Sequence, residues 1–237
     1  MTTQTKPIDV YYAATPNGRK VTIMVEELGV PYTVKWINIG RGDQFKPEFL
    51  AVSPNNKIPA ILDPEGPGGE SISVFESGAI LKYLAEKFGR FYPTDVRSRV
   101  AVDEWLFWQV GGFGPMLGQN NHFTRYAQEK IPYAIKRYGD ETHRLFRVLE
   151  EQLARQADLG NDYVAGDYSI ADIAIFDWSN GHERYGIDLA KHPHFAAWNR
   201  RIHEREAVKR AYAIKHIEPQ PSAETDEKAR RVLFNQR

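Results

Sequence analysis

The sequence predicts an α+β chain: an α/β unit over about residues 1–90, then an all-helical unit over 97–216 and a polar tail over 217–237. Three observations carry this. Short alternating apolar runs and two amphipathic helical patterns interleave in the first 90 residues. Strand signals stop at "GRFYPTDVRSR", where the composition shifts between Phe91 and Arg97. Long helical patterns fill most of the remainder.

The elements follow in order. "IDVYY", Ile8 to Tyr12, is a short strand. Val21, Met24, Val25 and Leu28 then fall at helical spacing on one apolar face. Thr15 is placed to cap that helix, with Pro16 at its first position, where a missing N–H removes nothing. Gly29 and Pro31 end it. "YTVKWINI" alternates as a second strand. "GRGDQFKPEFLAVSPNN" is a long polar connection with one helical turn. "IPAILD" and "SISVF" are strands joined by the turn-rich "PEGPGGE". Ile80, Leu81, Leu84 and Phe88 form the apolar face of a second strong helix, capped by Gly89. Helices are then expected in "RSRVAVDEWLFWQV", "IPYAIKRYGDETHRLFRVLEEQLARQ", "SIADIAIFDWSN" and, as one run, "HPHFAAWNRRIHEREAVKRAYA". Trp105, Trp108 and Trp198 are expected in the core, and the tail is expected to be loosely attached.

Composition narrows the function. A chain of 237 residues, 42% hydrophobic and 12% aromatic, can bury a real core. Lys+Arg is 31 and Asp+Glu is 31, a balance that argues against a dedicated nucleic-acid binder. No apolar run approaches the roughly 20 residues of a membrane span. "MTTQTKPIDVYY" lacks an apolar signal core, so no export and a cytoplasmic location are expected. There are no cysteines, which excludes disulfides, a cysteine nucleophile and Cys-ligated metal.

Several motifs carry a closer resemblance. "NNKIPAILD" resembles the cis-proline loop, and "ESGAILKYLAEKFG" the glutathione-clamping Glu-Ser pair, of the cytosolic glutathione transferases. "SIADIAIF" resembles their helix-capping box. "TPNGRK", "GDQFKPEFLAVSPNNKIPAI" and "VGGFGPMLGQNNHF" are similar to the bacterial Nu-class disulfide-bond oxidoreductases, which are related to the yeast nitrogen-regulation prion protein. The resemblance covers nearly the whole chain. It implies a thioredoxin-like N-terminal domain, glutathione as co-substrate, no metal, and a two-fold homodimer.

It also implies site roles. Glutathione is an extended tripeptide, and an extended peptide is well held against a strand edge. The backbone of Ile58, before a cis Pro59, would pair with its cysteinyl unit. Glu76 offers a carboxylate to the ligand's amine. Ser77 offers a hydroxyl at a helix N-terminus, where the dipole favours an anion. Gln44 and Lys57 would reach the other carboxylate. Arg137 would lie near a second glutathionyl unit. Thr15 and Asn17, where the first strand hands over to the first helix, would donate hydrogen bonds to the glutathione thiolate and stabilise it. Each has an ordinary reading when taken alone: Ser77 and Thr15 as caps, Pro59 as a strand-start proline, Asn17 as a turn residue. Tyr11 and Tyr12 are weaker thiolate donors because both lie inside a strand.

Other features read as structural. Ser169 and Asp172 form a capping box with no chemistry. "GGFGPMLG" has Leu117 where a phosphate loop needs its third glycine, and is expected to be an irregular bend lining the cleft. Asn121 and His122 would edge that cleft. His192 and His194 lack a third ligand at sensible spacing and are expected at the surface. The reading is therefore a glutathione-dependent disulfide-bond oxidoreductase with weak transferase and peroxidase activity, acting on a small disulfide, peroxide or electrophile. The alternative is a non-catalytic glutathione-binding regulator of the same fold. A membrane-inserting relative of the intracellular chloride channels is disfavoured by the missing cysteine and apolar segment.

Overall fold

The computed structural model describes residues 4–215, 221 and 223–234. The chain divides into two compact units, Met1–Phe88 with Arg210–Arg237, and Gly89–Lys209.

The first unit opens with β1 (Ile8–Tyr12), whose alternate residues Ile8, Val10 and Tyr12 are buried. Next come α1 (Pro16–Leu28), β2 (Tyr32–Trp36), the short α2 (Pro47–Leu50), β3 (Ala60–Asp63), β4 (Ile72–Phe75) and α3 (Ser77–Phe88). The sheet order is β2-β1-β3-β4. β1 runs parallel to β2, with Val10 opposite Val34, and antiparallel to β3, with Val10 opposite Ile61. β3 and β4 are antiparallel. Parallel neighbours need a crossover, and α1 supplies it. Its start is built as the sequence predicts: Thr15 is the N-cap, its hydroxyl oxygen accepting from Gly18 N at 3.1 Å, with Pro16 following. Gly29 closes it in the left-handed region, φ 69°, its N–H donating to Val25 O. Gly18 is demanded by space, since a Cβ there would sit 2.2 Å from Ala13 O. α1 packs against α3.

The polar connection after β2 holds a 3-10 turn, Asp43–Phe45, besides α2. It is anchored by a small core of Ile37, Phe49, Val52 and Ala60. At the far end of β3, Asp63 is buried and accepts from Lys87 Nζ at 2.5 Å and Tyr83 Oη at 2.6 Å. Gln4 donates to the same carboxylate at 3.2 Å, which ties residues before β1 to α3.

Two expectations about the chain's end change. Helix α9 (Glu206–Ala213) carries the chain into the first unit: from Arg210 onward it groups there, not with the helical unit. The Arg210 guanidinium donates to Glu26 Oε2 at 2.6 Å, and Arg19 lies 4.8 Å from the Tyr212 ring centroid. The described part of the tail is not loose. It forms α10 (Glu227–Phe234), with Ala223 and Ala229 buried. Pro221 and Ala229 close on Gly40, where a Cβ would come within 2.8 Å of Pro221 Cγ. A glycine on one side and small apolar residues on the other permit this contact. Residues 216–220, 222 and 235–237 of that tail lie outside the described residues.

The second unit begins with α4 (Val96–Trp108), capped by Asp95, which accepts from Ser98 N at 2.9 Å. The expected bend at "GGFGPMLG" is instead part of a continuous helical run. A π-helical turn, Gln109–Phe113, passes into α5 (Gly114–Asn121), and a second, His122–Tyr126, follows. Pro115 explains the first. Its ring has no N–H and would strike a carbonyl one regular turn back, and a widened turn makes room. After these, α6 (Pro132–Asp158) buries Leu145, Phe146, Leu149 and Leu153 on one stripe. α7 (Ile170–Ser179) starts with the capping box. α8 (Pro193–His203) is capped from α6: Glu150 accepts from His194 N and Phe195 N at 3.2 and 2.8 Å. The long run to residue 213 breaks between α8 and α9 at Glu204 and Arg205. Phe113, Phe146, Phe195 and Trp198 form the aromatic core, but Trp105 and Trp108 are only half-buried and stack edge-on 5.0 Å apart.

Candidate active site

The first unit contains a cavity of about 170 Å³ where the N-termini of α1 and α3 meet the entry to β3. Asn17, Lys57, Ile58, Glu76 and Ser77 line it, together with Asn55, Pro59 and Phe75. Five of the eight residues singled out in the sequence are therefore brought together. The Ile58–Pro59 peptide bond is cis. The loop before it is pinned by Ser53, whose hydroxyl donates to Lys57 O at 2.8 Å.

Glu76 is the residue just before α3, and Ile80 N donates to its carbonyl at 2.9 Å. Its φ of 70° lies in the left-handed region, which a side-chain-bearing residue adopts only at a cost of about 1 kcal/mol or more. That turn leaves the Glu76 side chain exposed at the cavity, with its Oε1 accepting from Asn55 Nδ2 at 3.4 Å. Ser77 opens the helix and is buried, at 7% exposure. The first turn of a helix carries N–H groups without intrahelical partners, so α3 presents a site that favours an anion beside a carboxylate that favours a cation. That pairing suits the carboxylate and amine of one α-amino-acid group.

The remaining three lie elsewhere. Thr15 caps α1 two residues before Asn17. Its oxygen already accepts from Gly18 N, so its own proton is available to another acceptor. Gln44 is buried at 5% exposure; its Nε2 donates to Ile39 O at 3.1 Å and its Oε1 has no hydrogen-bond partner. Arg137 belongs to the second unit, exposed on α6. The nearer pair Arg144–Glu141 dominates there: Arg144 first, then the Arg137 charge, hold the Glu141 carboxyl below its ordinary range.

Tyr11 and Tyr12 stay within β1. Tyr12 is buried, and burial followed by the Asp9 charge pushes the Tyr11 hydroxyl above its ordinary value. Asn121 donates to Tyr185 Oη at 2.7 Å. His194 pairs with Glu150 and His192 with the carbonyl of Asp188. Among the described residues no group of three His, Cys, Asp or Glu could hold a metal ion. No helix among them is long and apolar enough to cross a membrane.

Sequence reasoning missed two residues. Asn55 faces the cavity from the loop already singled out. Lys20 on α1 is buried, at 1% exposure, and its Nζ lies 3.2 Å from Ser77 Oγ. The signal available was its place one residue before Val21 and four before Met24, on the flank of the buried stripe.

Comparison with known proteins agrees with this geometry. Residues 14–87 match the model of the glutathione S-transferase N-terminal domain, and residues 125–206 that of the C-terminal domain. Disulfide-bond oxidoreductase YfcG of Escherichia coli (strain K12) is 52% identical over 86% of this chain and 94% of its own length. Transcriptional regulator URE2 of Saccharomyces cerevisiae is 32% identical over 88% of this chain and 69% of its own length. A glutathione transferase from Pseudomonas putida, solved with one glutathione disulfide bound per subunit, superimposes with a TM-score of 0.82 at 41% identity, over 89% of this chain and 92% of that one. The sheet order, the paired helix N-termini and these matches converge: the chain belongs to the glutathione S-transferase family.

Proposed function

We propose that this protein is a glutathione-dependent disulfide-bond oxidoreductase, with weak transferase and peroxidase activity on the same site. The observation that supports it most is the cavity itself: a carboxylate, a serine at a helix N-terminus and a cis-proline loop side by side in a chain without cysteine. Glu76 and Ser77 take the γ-glutamyl end of glutathione. The Ile58 backbone takes the cysteinyl unit, and Lys57 and Gln44 the glycyl carboxylate. Gln44 retains one amide hydrogen for this beyond the one given to Ile39. Thr15 and Asn17 donate to the thiolate.

The chemistry then balances without a protein thiol. One glutathione thiolate attacks a disulfide, forming a mixed disulfide and releasing one thiolate of the substrate. A second glutathione thiolate attacks the glutathione sulfur of the mixed disulfide, giving glutathione disulfide and the other substrate thiolate. Two thiolates are oxidised to one disulfide and one disulfide is reduced to two thiolates. Arg137 is assigned to the second glutathionyl unit. A homodimer of the Nu class working in the cytoplasm belongs to the same reading, and sedimentation as a species near twice 27.2 kDa is its test.

The deciding experiment couples reduction of a model disulfide by glutathione to glutathione reductase. Turnover well above the uncatalysed exchange is expected. Turnover equal to it would favour the second reading, a glutathione-binding regulator, which the similarity to URE2 keeps in view.

A further inference from the structure

Lysine is rarely buried, because transferring an ammonium from water is costly unless a partner or an anion compensates it. Lys20 is buried on α1, where the helix packs against α3. Its Nζ lies 3.2 Å from Ser77 Oγ, and an ammonium can only donate. The Ser77 hydroxyl is therefore the acceptor in that contact. A hydroxyl oxygen that accepts a hydrogen bond on one side is left with its own proton to give on another. Ser77 lines the cavity, beside Glu76 and the loop before Pro59.

We propose that Lys20 is a positioning residue for glutathione: by donating to Ser77 Oγ it biases the Ser77 hydroxyl to give its own proton toward the cavity, and it places an ammonium beside the α3 N-terminus. The ligand group that benefits is an anion at Ser77, and under the reading above, on which this inference rests, that anion is the γ-glutamyl α-carboxylate. Lys20 does not need to touch the ligand. Ser77 transmits its effect, as a donor polarised by a cation. The arrangement also implies a preference for a charged ligand group. A neutral group at the same place would gain only the hydroxyl hydrogen bond, without the field of the buried charge.

The test uses the full chain and two ligands: glutathione, and its analogue with the γ-glutamyl α-carboxylate converted to a carboxamide. Lys20→Met keeps the side chain's length and removes the charge. It should weaken glutathione binding by calorimetry about tenfold or more, yet change the amide analogue's affinity less than about threefold. In the disulfide assay the glutathione KM should rise while kcat at saturating glutathione holds. Equal loss for both ligands, or none for glutathione, would overturn the proposal. Lys20→Gln carries the same comparison if Lys20→Met does not fold. If neither folds, Lys20→Arg, which keeps a positive charge and the donor, decides: it should keep glutathione's preference over the amide within about threefold of the wild type, and loss of that preference overturns the proposal. Ser77→Ala separates the two layers. If it weakens glutathione while Lys20→Met does not, only the role of Lys20 falls. If it leaves glutathione binding intact, the placement of the carboxylate falls with it.

Discussion

Replacing Asp172 tests how the helical unit is held, and the structure allows the magnitude to be worked out. Asp172 is fully buried at the start of α7 and accepts four hydrogen bonds: from Val164 N at 3.0 Å, Ser169 N at 3.0 Å, Ser169 Oγ at 3.2 Å and Trp198 Nε1 at 2.8 Å. It thus joins the preceding loop, the capping box and α8 through one carboxyl group. Asp172→Ala orphans three N–H donors in the interior, each worth about 1–3 kcal/mol when water cannot replace the partner, so a loss of ~3–5 kcal/mol is expected. Asp172→Asn adds a pH signature. Burial pushes the folded carboxyl up to about 6 from 3.8, against the pull of its four donors. Between those values the folded state binds more protons than the unfolded one, so stability falls as pH rises through the window and is flat above it. Asparagine has no such proton. The stability of the native protein relative to Asp172→Asn should therefore drop by up to ~3 kcal/mol from pH 4 to pH 7, the free energy of about two pH units. Urea unfolding followed by tryptophan fluorescence at both pH values measures it. A gap that does not change with pH, or an Asp172→Ala variant within about 1 kcal/mol of native, would refute the reasoning.

Thr15→Ala should lower the disulfide-reduction rate ~10–100-fold and cost ~1 kcal/mol through the lost cap, whereas Thr15→Ser should restore the stability; equal rates in all three proteins would remove Thr15 from the chemistry. Asp63→Asn should destabilise by about 3 kcal/mol, because Lys87 loses its buried carboxylate. Burial pushes the Asp63 carboxyl up but Lys87, Tyr83 and the Glu65 N–H outweigh it and hold it low, so its stabilisation is lost as pH falls, and the variant should approach the native protein in acid melts. Gly40→Ala should displace the Pro221 contact and speed proteolytic removal of the C-terminal segment several-fold, with a stability loss of ~1 kcal/mol; an unchanged digestion pattern would show that the contact contributes little.

What could be seen in advance depended on whether a residue's role leaves a periodic or local trace. The burial of Ile8, Val10 and Tyr12 follows from alternation, and that of Ile80, Leu81 and Leu84 from helical spacing. Thr15, Pro16 and Gly29 were legible because capping is set within a few residues. The cavity residues were legible only through the resemblance; alone, Ser77 reads as an ordinary cap. Lys20 left only a faint trace, its place on the flank of the apolar stripe of α1, because the partner that makes its burial useful lies on α3, 57 residues further along the chain. The ordered C-terminal segment was hidden for a similar reason. Ala223, Ala229 and Val232 are a thin apolar set in a charged stretch, and only Gly40 and Gly42 reveal what receives them. The π-helical turns were masked because glycine and proline at residues 111–115 signal a break equally well.

Under the proposed function, the two helix N-termini at the cavity divide the work so that no protein cysteine is required. In that reading α3 supplies an anion site at Ser77, and a carboxylate at Glu76 whose backbone lies in the left-handed region. These suit holding the γ-glutamyl end, which sulfur exchange leaves chemically unchanged. α1 begins with Thr15, whose oxygen is occupied by Gly18 N and whose proton is not, so it can donate to sulfur but is poorly placed to act as a base. A donor of this kind stabilises a thiolate whether it is attacking or leaving. Disulfide exchange needs both roles in turn from the same place, and it is degenerate in a way that other glutathione reactions are not. A protein thiol there would itself take part in the exchange, forming a mixed disulfide that a further glutathione thiolate would have to resolve. In the proposed reaction a threonine offers the hydrogen bond without the nucleophile, and every attacking thiolate comes from glutathione.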